Sequence, residues 1–257
     1  MRVVIKIGTS TLAHSTGHLN IRRVEEICKV VSDIKNAGNE VIMVSSGAIG
    51  MGVGKLCLAK SPDDIPTKQA AAAVGQCELM YTYDKLFSEY NHTVAQLLIT
   101  GADVEAADRY ENFSNTLNRL RELDAIPVIN ENDTVATEEI VIGDNDTLAA
   151  IVAKSINADL LILLSDIDGL YDKDPHQNEA AKFIDEIDEI TDELMSIAGG
   201  SGTSRGTGGM VTKLTAAQIA TNAGCDMVIA NGSDPTLLYD IVEGKDIGTR
   251  FIKRISK

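Results

Sequence analysis

The sequence predicts an α/β fold in which a mostly parallel sheet is covered by helices on both faces. Short apolar, β-branched runs alternate with amphipathic stretches along the chain, the order expected of such a sheet. Hydrophobic residues make up 44% of the 257 positions, which is ample for a core. Several apolar runs end in Gly, Ser, Asn or Asp. Because ligands bind beyond the carboxyl ends of parallel strands, we expect a functional site there.

Charge and cysteine content narrow the classes of function. With 23 basic and 38 acidic residues, the net charge of −15 has the wrong sign for holding a nucleic-acid backbone. The four cysteines form no C-x-x-C pair, which argues against a zinc cluster or a disulfide framework. The chain opens too abruptly into Val3-Val4-Ile5 for a signal peptide, and no apolar run approaches the length of a membrane span. We expect a cytoplasmic protein without nucleic-acid or membrane partners.

The first predicted strand covers residues 3–7 and is closed by Gly8-Thr9-Ser10-Thr11. Lys6 interrupts this strand near its end. A lysine there is either an edge residue whose ammonium reaches solvent or a residue aimed at a ligand. Asn20 can cap the helix that follows, and a second strand is predicted over residues 40–44.

The second strand runs into Ser45 to Lys55, which we predict to be a glycine-rich loop. Its spacing matches neither G-x-G-x-x-G nor G-x-x-x-x-G-K-[ST], so the dinucleotide and P-loop interpretations fail. The loop still offers hydroxyls and free backbone amides, among them those of Ser46 and Gly47. The elements predicted next are an Ala-rich scaffold helix from residue 68 to about 90, a strand over 93–100, a helix over roughly 107–124 and a strand over 126–129.

The densest polar run follows, with Asn130-Glu131-Asn132-Asp133-Thr134 before a possible hairpin and Gly143-Asp144-Asn145-Asp146 after it. Asn and Asp are common turn formers and helix caps, and Asp144 or Asn145 would cap a helix over 147–158. Two such clusters at the ligand-facing end of a strand also fit a binding site. Both interpretations stay open on the residues alone.

A continuous apolar run over 160–164 predicts a central buried strand, ending in Ser165-Asp166-Ile167-Asp168-Gly169. A calcium-binding EF-hand is rejected because its glycine stands sixth, whereas here it stands fourth. The acidic stretch Asp185 to Glu193 is expected to be the solvated face of a helix.

Gly199 to Lys213 contains six glycines in fifteen residues and leads into an amphipathic helix that should stop at Gly224. Its backbone N–H groups could form an anion-binding nest at the positive end of that helix, with Lys213 adding a charge. A flexible linker is the alternative. A strand over 227–230, a short helix near 236–243 and the segment 248–252 complete the predicted elements.

Together these motifs resemble the amino acid kinase family over nearly the whole chain. Any one motif alone would be weak, but all six in this order are specific. They are Lys6-Ile7-Gly8-Thr9-Ser10, Ser45-Ser46-Gly47-Ala48-Ile49, Asn130-Glu131-Asn132-Asp133, Gly143-Asp144-Asn145-Asp146, Ser165-Asp166-Ile167-Asp168-Gly169-Leu170-Tyr171 and Gly206-Thr207-Gly208-Gly209-Met210-Val211-Thr212-Lys213.

The resemblance implies one domain over residues 1–257, folded as a three-layer αβα sandwich with an amino-acid-binding lobe (about 1–158) and a nucleotide-binding lobe (about 159–257). It implies transfer of the γ-phosphoryl group of ATP, with Mg²⁺ held mainly by the phosphates, to the side-chain carboxylate of L-glutamate, the first step of proline biosynthesis. Homo-oligomers and feedback inhibition by proline are implied by resemblance alone. Many members add a C-terminal PUA module, and we expect a form without it because the sequence stops at Lys257.

The resemblance also assigns roles to residues. The catalytic cations are Lys6 and Lys213, with Asp146 between them. The glutamate side is formed by Ser46, Asp133 and Asn145, with Gly8 and Gly47 beside the transferred phosphoryl group. The ATP side comprises Lys6, Ser165, Asp166, Thr207, Gly208, Gly209, Met210, Val211, Thr212 and Lys213, and no protein ligand to a metal is implied.

Two alternatives remain. A kinase of the same fold could use another acceptor, namely N-acetylglutamate, aspartate, carbamate or UMP. The opening Lys6-Ile7-Gly8-Thr9-Ser10 speaks against aspartate, whose kinases open Lys-Phe-Gly-Gly-Thr-Ser. A non-catalytic nucleotide or amino-acid sensor would be expected to lack a catalytic lysine, and both Lys6 and Lys213 are present.

Overall fold

A computed structural model describes residues 1–14, 16, 18–60, 62–135, 145–173, 178, 180–195 and 209–254. Its centre is an eight-stranded sheet, accompanied by a separate two-stranded pair. The strands are β1 (Arg2–Ile7), β2 (Glu40–Ser45), β3 (Val94–Ile99), β4 (Ile126–Glu131), β5 (Leu160–Ser165), β6 (Leu170–Tyr171), β7 (Phe183–Ile184), β8 (Glu186–Ile187), β9 (Asp226–Asn231) and β10 (Thr249–Phe251).

Helices connect most of these strands. They are α1 (Thr9–Leu12), α2 (Ile21–Asn36), α3 (Ala48–Lys55), α4 (Ile65–Ser88), α5 (Gly101–Glu105), α6 (Ala107–Glu122), α7 (Asn145–Ser155), α8 (Met210–Asn222) and α9 (Leu237–Val242). As predicted, the Asn20 side chain caps α2 by accepting from the backbone N–H of Arg23 at 3.2 Å. Among the described residues, no helix is both long and apolar enough to cross a membrane.

The strand order in the main sheet is β3-β4-β2-β1-β5-β9-β10-β8. Every pairing is parallel except that of β10 with β9, which confirms the predicted mostly parallel sheet. β1 lies in the interior of the sheet, and its Lys6 pairs with Val44 on one side and Leu163 on the other. The alternative that Lys6 is an edge residue is therefore wrong.

Alternating side chains of β1 divide the core into two layers. Val4 packs into a cluster with residues of α6, α7 and α8, whereas Val3, Ile5 and Ile7 pack into a second cluster with residues of α2, α4 and α9. This is the period of two expected of a strand that is buried on both faces. The predicted cover of helices on both faces is confirmed, and Lys6 shares the face of Val4.

The predicted glycine-rich loop over Ser45 to Lys55 is wrong, because α3 occupies most of it. A Cβ at Gly52 would lie 1.8 Å from the carbonyl oxygen of Ala71, and one at Gly75 would lie 1.7 Å from that of Ala48. These glycines therefore allow α3 and α4 to pack backbone against backbone. The high glycine content that indicated a loop therefore reflects the close packing of α3 against α4.

The helix predicted for the acidic stretch Asp185 to Glu193 is also wrong at its start. Glu186 and Ile187 form β8 at the edge of the main sheet, parallel to β10. Ile187 is buried and Glu186 is exposed, so the side chains alternate as they do in a strand with one face in the core. The run of acidic residues alone does not reveal this alternation of buried and exposed side chains.

Candidate active site

Three charged side chains from distant parts of the chain meet at the carboxyl end of β1. The ammonium of Lys6 lies 2.6 Å from Oδ1 of Asp146, and the ammonium of Lys213 lies 2.9 Å from Oδ2 of the same carboxylate. The side chains of Lys6, Asp146 and Lys213 are 11%, 1% and 7% exposed. The structure thus brings together the three residues that the sequence predicted to be catalytic.

The local fold explains why these side chains converge. Lys6 projects from the face of β1 against which α7 and α8 pack, and those two helices carry Asp146 and Lys213 in their first turns. Asp146 is favourably placed because a helix N-terminus carries partial positive charge. Lys213 is unfavourably placed for the same reason, and its ion pair with Asp146 offsets that cost.

The charges of this cluster leave it with a net positive charge of one. Burial alone would raise the pKa of Asp146, but the ammonium groups of Lys6 and Lys213 outweigh it and hold the pKa of that carboxyl below its usual value. Asp146 is therefore ionised at neutral pH and separates two cations that would otherwise repel each other. A buried site with excess positive charge, in a protein of net charge −15, is suited to an anion.

Gly8 leaves room beside the Lys6 ammonium. A Cβ at position 8 would lie 3.7 Å from Lys6 Nζ and 3.3 Å from the carbonyl oxygen of Leu164. The backbone N–H of Gly8 already donates to that Leu164 oxygen at 3.3 Å. What Gly8 gives to the site is therefore the space that a side chain would otherwise fill. Gly47 adopts the left-handed conformation, with φ of +100°, immediately before α3.

Polar side chains on the side predicted to bind the amino acid are joined by hydrogen bonds. Asn145 Nδ2 donates to the hydroxyl of Ser46 at 2.8 Å and to Oδ1 of Asn130 at 2.9 Å. Because Asn145 directly precedes Asp146, this polar group adjoins the cation cluster. Asn130 belongs to one of the six motifs but was not predicted as a site residue. Its position near the carboxyl end of β4 could have indicated a role in the site.

Asp133 lies in the turn after β4 and is half-buried. Burial raises the pKa of its carboxyl to about 6. Among the described residues no cation forms an ion pair with it. No hydrogen bond between described residues joins Asp133 to Ser46 or Asn145.

The ends of β5 and β9 form the side predicted to bind the nucleotide. Ser165 is buried and its hydroxyl donates to Oδ1 of Asp166 at 3.1 Å. The carbonyl oxygen of Ser165 accepts from the backbone N–H of Gly232 at 2.7 Å, and Asn231 Nδ2 donates to Asp168 at 2.7 Å. Asn231 was not among the predicted site residues, although it directly follows the strand predicted over 227–230.

The glycine-rich segment before α8 is described only from Gly209 onward. Thr207, Gly208 and the predicted anion nest lie outside the described residues, as does Asp144. The hydroxyl of Thr212 donates to the carbonyl oxygen of Gly209 at 2.7 Å, which fixes the first turn of α8. Met210 and Val211 begin that helix.

Comparison with known sequences matches residues 1–231 to a model described as the amino acid kinase family. A glutamate 5-kinase from Clostridium perfringens is 53% identical over 257 residues, covering 98% of this chain and 96% of that protein. A glutamate 5-kinase from Caldanaerobacter subterraneus subsp. tengcongensis is 54% identical over 252 residues, covering 98% of this chain and 68% of that protein.

Solved structures share the fold at low identity. Carbamate kinase from Giardia lamblia bound to AMP-PNP aligns with a TM-score of 0.70 at 17% identity, covering 98% of both chains. UMP kinase from Ureaplasma parvum aligns with a TM-score of 0.64 at 16% identity, again covering 98% of both. These likenesses confirm the predicted three-layer architecture and say nothing of the acceptor.

Proposed function

Since this chain belongs to the amino acid kinase family, we propose that it transfers the γ-phosphoryl group of ATP to the side-chain carboxylate of L-glutamate. A carboxylate oxygen forms a bond to the γ-phosphorus while the bond to the β,γ-bridging oxygen breaks. The products are L-glutamyl 5-phosphate and ADP, the first step of proline biosynthesis. The observation that carries the proposal is the buried Lys6–Asp146–Lys213 cluster.

This chemistry needs positive charge more than it needs a base. A glutamate side chain, with an ordinary pKa of about 4.3, is already ionised at neutral pH, so no proton has to be removed from the nucleophile. What must be stabilised is the charge on the transferred group and on the leaving oxygen. We assign Lys6 to the γ-phosphoryl group, Lys213 to the β,γ bridge, and Asp146 to holding both ammonium groups in place.

The residues present fit ATP accompanied by Mg²⁺. The missing side chain at Gly8 leaves space beside Lys6 for a phosphoryl oxygen. Because Mg²⁺ in kinases usually keeps several waters and is bound through substrate phosphates with one or two carboxylates, we assign the phosphates as its main ligands. Bound in that way, Mg²⁺ would neutralise part of the phosphate charge.

The acceptor is assigned to the polar group on the other side of the cluster. We propose that Ser46, Asp133 and Asn145 together bind the backbone groups of glutamate, with the carboxylate of Asp133 accepting from the α-ammonium. Residues 1–158 would then serve mainly the amino acid and residues 159–257 the nucleotide, through Ser165, Asp166 and the Thr207 to Lys213 segment. Glutamate rather than another acceptor is supported by the relatives with about half of their residues identical. Inhibition by proline and assembly into homo-oligomers remain predictions.

The test is an acceptor screen with ATP and Mg²⁺. We expect ADP release with L-glutamate, and trapping of the acyl phosphate as a hydroxamate when hydroxylamine is added. Aspartate, N-acetylglutamate, carbamate and UMP should give ADP release at least about tenfold slower, because one misfitted polar group costs that much or more. Turnover with one of these acceptors and none with glutamate would overturn the proposal.

A further inference from the structure

A chain of side-chain amides runs from helix α4 to the amino-acid side of the site. Gln76 of α4 is 7% exposed and Asn130 of β4 is 2% exposed. Asn130 Nδ2 donates to Gln76 Oε1 at 3.0 Å, and Asn130 Oδ1 accepts from Asn145 Nδ2 at 2.9 Å. A single residue, Asn130, therefore links Gln76 to Asn145 through hydrogen bonds.

Each hydrogen bond in this chain fixes the orientation of the next amide. Asn130 Oδ1 also accepts from the backbone N–H of Glu131 at 2.9 Å. Turning the Asn130 amide over would set its NH₂ group against two donors and its oxygen against the acceptor of Gln76. The Nε2 of Gln76 donates in turn to Gln96 Oε1 at 3.2 Å. In a buried position these bonds are costly to lose, so one amide orientation is selected along the whole chain.

The selected orientation determines what Asn145 can offer a ligand. Its Nδ2 uses both protons inside the protein, on Ser46 and Asn130. Its Oδ1 is buried and has no hydrogen-bond partner among the described residues. Ser46 accepts from Asn145, so its own hydroxyl proton is left to donate. Among the described residues, an acceptor without a partner thus lies beside a hydroxyl whose proton has none, and this pair complements an amino acid, whose α-ammonium only donates and whose α-carboxylate only accepts.

We propose that Gln76 is a positioning residue which, acting through Asn130, holds the carbonyl oxygen of Asn145 ready for the α-ammonium of the bound amino acid. The inference rests on the proposed function for the identity of that amino acid. Without an acceptor at position 76, the buried NH₂ of Asn130 would lack a partner and the amides would lose their common orientation. Gln76 would therefore determine how strongly the protein prefers glutamate over glutarate, the dicarboxylic acid of the same length that lacks the α-amino group.

The test replaces Gln76 with methionine, which has similar length and flexibility but no amide acceptor. Dissociation constants for glutamate and for glutarate, which lacks the α-amino group, are measured by calorimetry, and kcat is measured separately. For Gln76→Met we expect glutamate to bind about tenfold more weakly, the loss typical of a hydrogen bond to a charged group. Glutarate binding should change by less than about twofold and kcat by less than about threefold, since neither depends on the α-ammonium.

Two further variants separate positioning from general damage. Gln76→Glu keeps an oxygen that accepts from Asn130, and the exposed Gln96 amide can rotate to donate to the new carboxylate, so glutamate affinity should stay within about threefold of wild type. Thr82→Ala removes a side-chain hydrogen bond to Glu78 elsewhere on α4 and should change none of the constants. Should Gln76→Met fail to fold, the affinity retained by Gln76→Glu carries the test.

Three results would overturn the proposal: an unchanged glutamate affinity in Gln76→Met, an equal loss for glutamate and glutarate, or a Gln76→Glu protein that binds glutamate no better than Gln76→Met. A wild-type protein that binds glutamate but does not phosphorylate it would refute the proposed function alone. The two failures are thereby distinguishable.

Discussion

At the scale of single residues, one carboxylate sets the geometry of the site. Asp146 accepts an ammonium on each of its two oxygens, so the positions of Lys6 and Lys213 relative to each other depend on it. Such preorganisation is effective in phosphoryl transfer, because donors that are already in place need not reorganise as charge develops. The lysines should therefore act mainly on the rate of the chemical step.

Replacing either lysine with alanine should lower kcat far more than it raises the KM for glutamate. We expect Lys6→Ala and Lys213→Ala each to lower kcat by roughly 10²- to 10³-fold, as for the loss of other transition-state donors. The KM for glutamate should change by less than about threefold, because glutamate does not depend on these ammonium groups for binding. Steady-state kinetics with a coupled ADP assay measures both parameters.

Lys245→Ala is a matched control, since Lys245 is exposed and pairs with Asp240 and Glu243 on the surface. Its kinetics should equal those of wild type. If the KM for glutamate rose in the Lys6 or Lys213 variant while kcat stayed at the wild-type value, that lysine would have a role in binding alone.

Asp133 should make glutamate binding depend on pH. Burial raises the pKa of its carboxyl to about 6, so the group is charged above that pH and neutral below it. An α-ammonium binds the charged form, so the KM for glutamate should rise as the pH falls below about 6, by up to tenfold per unit. Asp133→Asn should raise KM by roughly 10- to 100-fold at pH 7 and remove this dependence.

The pH series is run from about 5 to 8, a range in which glutamate itself keeps its charges. Stability is checked at each pH by far-UV circular dichroism. A wild-type KM that is flat across this range, or an Asp133→Asn protein with unchanged KM, would exclude Asp133 from the glutamate site.

The sequence analysis did not find Gln76, because no local pattern identifies it. The Lys6, Asp146 and Lys213 positions were found because each stands in a motif at the end of a strand or the start of a helix. Gln76 lies in a helix with alanines on several sides, so hydrophobic periodicity does not say which side faces the sheet. Its partner Asn130 is 54 residues away in sequence, and only the fold brings them together.

At the scale of elements, α3 and α4 pack backbone against backbone beside the site. The glycines at their contact replace side chains with backbone, so the two helix axes approach more closely than side-chain packing allows. Since α3 begins directly after Ser46 and Gly47, the position of α4 determines where this part of the site lies. Sequence reasoning found the glycines and assigned them to a loop, because helix packing partners are not visible locally.

Two glycine substitutions in these helices should have opposite effects on stability. A Cβ at Gly75 would meet the Ala48 carbonyl at 1.7 Å, so Gly75→Ala should lower the free energy of unfolding by about 3 kcal/mol or more. In Gly50→Ala the nearest atom is Cγ2 of Thr9 at 3.8 Å, so that variant should be about 0.5 to 1 kcal/mol more stable than wild type. Urea unfolding followed by circular dichroism measures both, and two variants of equal stability would refute this account of the contact.

At the scale of the whole molecule, packing does not stop where the proposed ligand lobes divide. The cluster around Val4 includes Leu214, and the cluster around Ile5 includes Ala230, so both core layers combine residues from before and after residue 158. The sheet is likewise continuous through the pairing of β1 with β5. Alternating apolar runs were enough to predict this architecture, whereas the two-residue strands β6, β7 and β8 were too short to show a period.

We therefore expect the protein to unfold in one cooperative transition. Urea curves from far-UV circular dichroism and from tyrosine fluorescence should coincide, the latter being the natural probe in a chain with six Tyr and no Trp. ATP and glutamate, added separately, should each shift the whole curve. Two transitions, each shifted by one ligand alone, would show that the lobes fold independently.

The interior position of β1 also has a consequence for biosynthesis. β1 leaves the ribosome before both of its neighbours, and one of them, β5, is not translated until residues 160–165. Until then an apolar strand has an unpaired side, which is the kind of surface that chaperones bind and that aggregates. Lys213 emerges later still, so a nascent chain that stalls before α8 carries one of the two cations and has no complete site.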